Sequence, residues 1–162
     1  MNYSFRFMSL LILILRLSTS VYSQKYKFTK DSLPQEGVPK GSVEEYTLNK
    51  SSVYPGSTHH YWTYVPAQYD ETKPACVMVF LDGAVFVHPE GEMRVPIVFD
   101  NLIHKGEIPV TIGIFVNPGR RDEDRSMRDE EYLPINDTFA RFLLEDLIAE
   151  VGKDYNPVSY TH

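Results

Sequence analysis

Two stretches limit what this chain can fold into. Cys76-Val77-Met78-Val79-Phe80-Leu81 and Val110-Thr111-Ile112-Gly113-Ile114-Phe115-Val116 are apolar runs of strand length with almost no polar interruption. Runs without alternation mark strands buried on both faces. Between them, Arg94 to His104 carries Val95, Val98, Phe99, Leu102 and Ile103 at helical spacing, and Gly106 is a natural stop. Strand, helix, strand closes most simply as a right-handed crossover with the two strands parallel.

The flanking segments extend this unit. Val43 to Leu48 can form a strand, Tyr54-Pro55-Gly56-Ser57 is a turn signal, and the aromatic and β-branched stretch His59 to Val65 reads as a second strand that Pro66 ends. A short Pro-Gly turn makes these two antiparallel. Asn117 to Leu133 reads as a long polar loop. Asn136 or Asp137 can cap a last helix reaching about Gly152, with Phe139, Leu143, Leu147 and Val151 towards the sheet and Glu145, Asp146 and Glu150 on other faces. The expected class is α/β: two antiparallel strands, a parallel βαβ unit and a further helix. Such a sheet is incomplete, because the last helix calls for another strand.

The first residues read as a targeting signal. Arg6 precedes the apolar run Met8 to Leu15, and Val21-Tyr22-Ser23 places small or apolar residues before a cleavage point at Gln24. The run is far shorter than the ~20 apolar residues that cross a bilayer. Residues 1–23 are therefore expected to be a signal peptide rather than a stable membrane span, and the protein to be secreted or periplasmic. Residues 24–42 form an extended lead-in, since KDSLPQEGVPKG has no apolar period.

A net charge of −6 without a basic stripe argues against a nucleic-acid partner. Cys76 is the only cysteine, so no internal disulfide can form, and its place in an apolar run predicts a buried small hydrophobe. The aromatic content of 13% argues against disorder. His59 and His60 are neighbours on a strand, point to opposite faces and cannot share a metal. His88 and His104 have no ligand spacing around them, and no cofactor or metal is implied. Ser159 and His162 could pass for a nucleophile and base, but they lie in no strand-turn-helix context and have no flanking glycines.

Leu81-Asp82-Gly83-Ala84 leaves the end of the first buried run, where ligands bind in open α/β sheets. Gly83 allows a sharp turn that brings a backbone N–H close to a substrate. Asp82 is either a substrate-facing carboxylate or a loop residue bonding its own backbone. Arg120, Arg121, Arg125 and Arg128 are set among acids, which alone describes a solvated loop.

The ordered segments HHYWTYVPAQYD, KPACVMVFLDG, VTIGIFVNPG, RSMRDEEY and DTFARFLLEDLIAEV together resemble the esterases related to enterochelin esterase, from about Gly41 to Asn156. The resemblance implies an incomplete α/β-hydrolase sheet over 43–157 and a Ser-His-Asp/Glu triad acting on carboxylic esters. It implies that backbone N–H groups of Gly83 and Ala84 form the oxyanion hole and that Arg128 and Tyr132 lie near the site mouth, which makes them, with Asp82 in its substrate-facing reading, the candidates to contact substrate. The G-x-S-x-G elbow is absent from these 162 residues, so no catalytic residue can be assigned. Enterochelin esterases carry a β-rich domain in front, where this chain has a short lead-in. A small-molecule or carbohydrate-linked ester is therefore at least as well matched as a siderophore. The competing reading is a non-catalytic binding or interaction protein on the same half-fold. Val158 to His162 is read as a non-native tail, because GTC TCT TAT ACA CAT spells it and matches a transposon mosaic end used in preparing sequencing libraries.

Overall fold

The computed structural model describes residues 27–122 and 125–157. The expected signal peptide and the expected non-native tail lie outside the described residues. The main sheet contains β1 (Ser42–Leu48), β2 (His59–Val65), β3 (Cys76–Leu81) and β4 (Thr111–Val116). The helices are α1 (Gly83–Val87), α2 (Val95–Lys105) and α3 (Arg128–Tyr132). A last helix, α4, joins Thr138–Arg141, a π-helical stretch Phe142–Leu147 and Ile148–Val151.

Strand order is β1-β2-β4-β3. β1 and β2 are antiparallel with Ser42 opposite Val65, and β2 and β4 are antiparallel with Tyr61 opposite Val116. β3 and β4 run parallel from Cys76–Thr111 to Leu81–Val116, as the crossover argument requires. This is a mixed α/β sheet with a parallel unit at one side.

β4 is buried along its whole length because helices cover both faces. Ile112, Ile114 and Val116 pack with Phe142, Leu147 and Val151 of α4. Phe115 points the other way, to Tyr64 and to Phe99 and Ile103 of α2. Gly113 interrupts the apolar run for a steric reason. A side chain there would begin 2.9 Å from the Phe115 ring, which would have to shift.

The first apolar run departs from expectation. β3 is not buried on both faces: Met78 is 48% exposed, and Cys76 is an exposed free thiol rather than a buried hydrophobe. β4 has inserted between β2 and β3, which leaves β3 at the edge among the described residues. Among the described residues, its free side is met at its start. There the Ala75 N–H donates to the Asn156 carbonyl at 2.9 Å, and Pro157 forms a parallel bridge with Ala75. β1, the other edge, carries the exposed Glu44 and Glu45, which discourage pairing with a stranger.

α2 ends where the glycine predicts. Gly106 sits at φ 71, and its N–H returns to Leu102 and Ile103 carbonyls. The 117–133 segment is more ordered than a polar loop. It holds the hairpin β5 (Arg120–Arg121) and β6 (Arg125–Ser126), then α3, all tied down by the buried Met127 and Glu131. α4 contains the larger surprise. The four-residue apolar spacing drifts against a 3.6-residue turn. The π-helical stretch, with its i→i+5 geometry, sets Phe142 and Leu147 on one buried face. Asp146 is buried too, against expectation. It accepts hydrogen bonds from the Ser51 and Ser52 hydroxyls, both at 2.6 Å, and from the Ser52 and Val53 amides. Among the described residues no helix is long and apolar enough to cross a membrane.

Candidate functional site

The carboxyl ends of β3 and β4 emerge side by side, and both are followed by polar residues. After β3 the chain reverses at Asp82, whose φ of 55 and ψ of 45 lie in the left-handed region. That conformation costs a non-glycine residue ~1 kcal/mol or more, so its surroundings must hold it. Gly83 follows and is buried against the end of β4. A Cβ there would sit 2.5 Å from the Val116 nitrogen and closer still to the Phe115 carbonyl carbon, so only glycine fits. The close approach expected of Gly83 is thus made to the protein's own backbone.

Ala84 presents its N–H to the Asn117 side-chain oxygen at 3.1 Å. Asn117 follows β4 as Asp82 follows β3. In the sequence, its place directly after the second buried run is the one signal that marks it. The Asp82 carboxylate, more than one-third exposed, makes no hydrogen bond to its own backbone. Its carboxylate is gripped by Arg128, with Nε to Oδ1 at 3.2 Å and Nη2 to Oδ2 at 2.9 Å. Those hydrogen bonds hold the Asp82 carboxyl below its usual range and raise the Arg128 guanidinium. Arg128 also lies over the Tyr132 ring, 5.1 Å from its centre. The Tyr132 hydroxyl is buried beside the Asp82 backbone N–H, which falls short of full hydrogen-bond geometry. Burial first, then the charge of Asp82, pushes it up to about 12. Asp82, Gly83, Ala84, Arg128 and Tyr132 therefore form one cluster, with Asn117 joined to it.

Two recesses flank the Ala84–Asn117 hydrogen bond. An apolar groove of about 390 Å³ runs from Ala84 along Val87, Pro89 and Pro96 to Trp62. A polar recess of about 610 Å³ lies beside Asn117, bordered by Thr58, His60, Arg120 and Asp122.

A second arrangement resembles a triad on paper. His59 Nε2 lies 2.9 Å from Glu131 Oε1, and Ser57 Oγ lies 3.4 Å from His59 Nδ1. All three side chains are buried. Ser57 donates its proton to the Tyr54 carbonyl at 2.7 Å, the Gly119 N–H occupies Glu131 as well, and Phe142 stacks on the imidazole at 4.2 Å. No substrate reaches this serine, and the string serves to anchor α3. His60 faces away, half exposed. Among the described residues no group of three or more His, Cys, Asp or Glu side chains could hold a metal ion. Ser159 and His162 lie outside the described residues.

No family profile and no curated protein matches the chain. Solved structures do. A CE1 ferulic acid esterase from Anaeromyces mucronatus, in complex with ferulic acid, aligns with TM-score 0.61 and 16% identity over 82% of this chain and 50% of its own. The ferulic acid esterase from that fungus in the absence of substrate gives 0.60 and 17%, over 82% and 51%. A mutant feruloyl esterase module from Clostridium thermocellum complexed with sinapinate gives 0.52 and 14%, over 83% and 43%. The chain spans about half the length of these structures. What it shares with them is a mixed α/β fold.

Proposed function

We propose that residues 43–157 are the front part of an exported serine carboxylic-ester hydrolase related to the enterochelin esterase-like enzymes, acting on a small-molecule or carbohydrate-linked ester. The observation that carries this reading is the backbone turn Gly83–Ala84, seated at the carboxyl ends of two parallel strands between an apolar groove and a polar recess. An ester has two such halves, an acyl part and an alcohol part, and its carbonyl must lie between them. N–H groups fixed there would bind the oxygen that becomes negative in the transition state, where such donors act most strongly. The Ala84 N–H is held by Asn117 and would become available when that side chain swings towards the polar recess. Nucleophile, acid and histidine would come from sequence beyond these residues, since no G-x-S-x-G occurs here. The fold shared with ferulic acid esterases supports the reaction class, and the Arg6 to Ser23 pattern supports export.

The test compares p-nitrophenyl acetate hydrolysis by this chain and by the product of the complete genomic reading frame. The expected result is no turnover by the chain alone and serine-dependent turnover by the complete product, reduced by Gly83→Val. Turnover by this chain that one substitution abolishes would show that the site is misassigned. A complete product that binds ligands without any turnover would instead establish the non-catalytic reading.

A further inference from the structure

We propose that the buried Glu131 is the positioning residue of the turn Asp82-Gly83-Ala84, acting on it through α3 and Arg128. Its bearing on catalysis rests on the function proposed above, in which that turn receives an ester carbonyl. α3 does not supply its own position. It is a single turn of five residues, and no side chain caps its start. A helix that short gains too little from its own hydrogen bonds to order itself. The exposed Arg128–Asp82 pair does not order it either, since such a pair contributes less than fixing the backbone of five residues takes away. The anchor has to be buried.

Glu131 meets that requirement. Its side chain is 1% exposed. Oε1 accepts from His59 Nε2 at 2.9 Å, and the two oxygens accept from the Gly119 N–H at 3.1 and 3.2 Å. His59 belongs to β2 and Gly119 follows β4, so the carboxylate ties α3 to the two inner strands of the sheet among the described residues. The Gly119 carbonyl completes the joint by accepting from the Met127 N–H at 2.8 Å, just ahead of α3. The joint is closed to a side chain: a Cβ on Gly119 would lie 2.5 Å from His59 Nε2 and 2.7 Å from Glu131 Oε1. Buried Met127 seats the start of the helix and Glu131 its far part. One seat would let so short a helix swivel, whereas two fix the side from which Arg128 leaves. Glu130 is engaged by Arg121 and Arg125, which leaves Arg128 to Asp82. The other holder of the turn is secured without Glu131, because the Asn117 N–H donates to the His60 carbonyl at 3.0 Å. Loss of Glu131 therefore falls on the Arg128 contact.

The Arg128 Nε–H resonance of the isotope-labelled full chain reads this contact in the folded state, whatever the stability of the variant. Asp82→Gly suits the left-handed turn, removes the carboxylate and gives the position of the resonance with the pair broken. Glu131→Ala should carry the resonance most of the way to that position. Glu131→Gln keeps an acceptor oxygen and should leave it near the parent position. If Glu131→Ala does not fold, Gly119→Ala presses a methyl group on the same carboxylate and should move the resonance in the same direction. Asp146→Asn weakens the fold from α4 and should leave it in place. An unmoved resonance in Glu131→Ala, or in Gly119→Ala where only that variant folds, would overturn the proposal. An equal displacement in Asp146→Asn would overturn it too, because the effect would then belong to the fold at large. The expected shifts in a complete reading-frame product that has no turnover would support the positioning role and remove the catalytic reading alone.

Discussion

Arg128 grips both carboxylate oxygens of Asp82, at 2.9 and 3.2 Å, from a helix 46 positions further along the chain. The pair closes the left-handed turn that seats Gly83. Both partners are more than one-third exposed, so the pair itself contributes little to global stability. Its effect is local. Arg128→Lys keeps the charge and loses the two-pronged geometry. Global stability should change by less than ~1 kcal/mol, while amide exchange at 82–85 accelerates. Unchanged exchange in this variant would mean that the turn holds itself.

Gly83→Ala should cost about 1–3 kcal/mol, because the new methyl group meets β4 backbone that cannot move without disturbing the sheet. Urea unfolding measures it. A cost near zero would show that the turn can lift from β4.

Glu131→Ala should cost roughly 2–3 kcal/mol, since the His59 imidazole and the Gly119 N–H would both be left buried without their acceptor. Glu131→Gln keeps one oxygen and should recover most of that loss. The two variants should also separate in amide exchange over 119–122, the residues the carboxylate anchors. Equal destabilisation by both would mean that charge, rather than acceptor geometry, matters there.

Asp146 predicts an acid limb. Burial pushes its pKa up, but the hydroxyls of Ser51 and Ser52 and two backbone amides outweigh this, and the net shift is downward. A depressed folded pKa means that its contribution is complete above the ordinary value of 3.8 and is lost as pH falls through the lower folded value. Asp146→Asn should lower Tm near neutral pH and lose less further stability between pH ~4 and pH ~2 than the parent does. Parallel acid limbs in the two proteins would remove this assignment.

Much of the fold is readable from linear pattern. β2 and β3 begin and end where residue composition places them, and Gly106 stops α2. The relation between the two apolar runs is not readable that way. Both look like central strands, and only the insertion of β4 between β2 and β3 decides that Met78 and Cys76 meet solvent. The 117–133 segment hides its order for a related reason. Its anchor, Glu131 to His59, joins residues 72 apart, which no local window contains. Asp82, Arg128 and Tyr132 are linked in the sequence by spaced motifs rather than by periodicity, and the structure brings them into contact. Asn117 was missed because a single asparagine after a strand ordinarily reads as turn chemistry.

The strand order also sets a timetable. β1 and β2 can pair as a hairpin as soon as residue 65 has left the ribosome. Among the described residues β3 has no partner then, because its neighbour in the sheet is β4, made some thirty residues later. Until Val116 emerges, the six apolar residues of β3 wait with α2 beside them and no ladder to join. Non-local pairing of this kind is slow and leaves strand edges open to other chains. The late arrival of β4, docking on both neighbours at once, is therefore the step that turns a hairpin and a loose helix into a sheet.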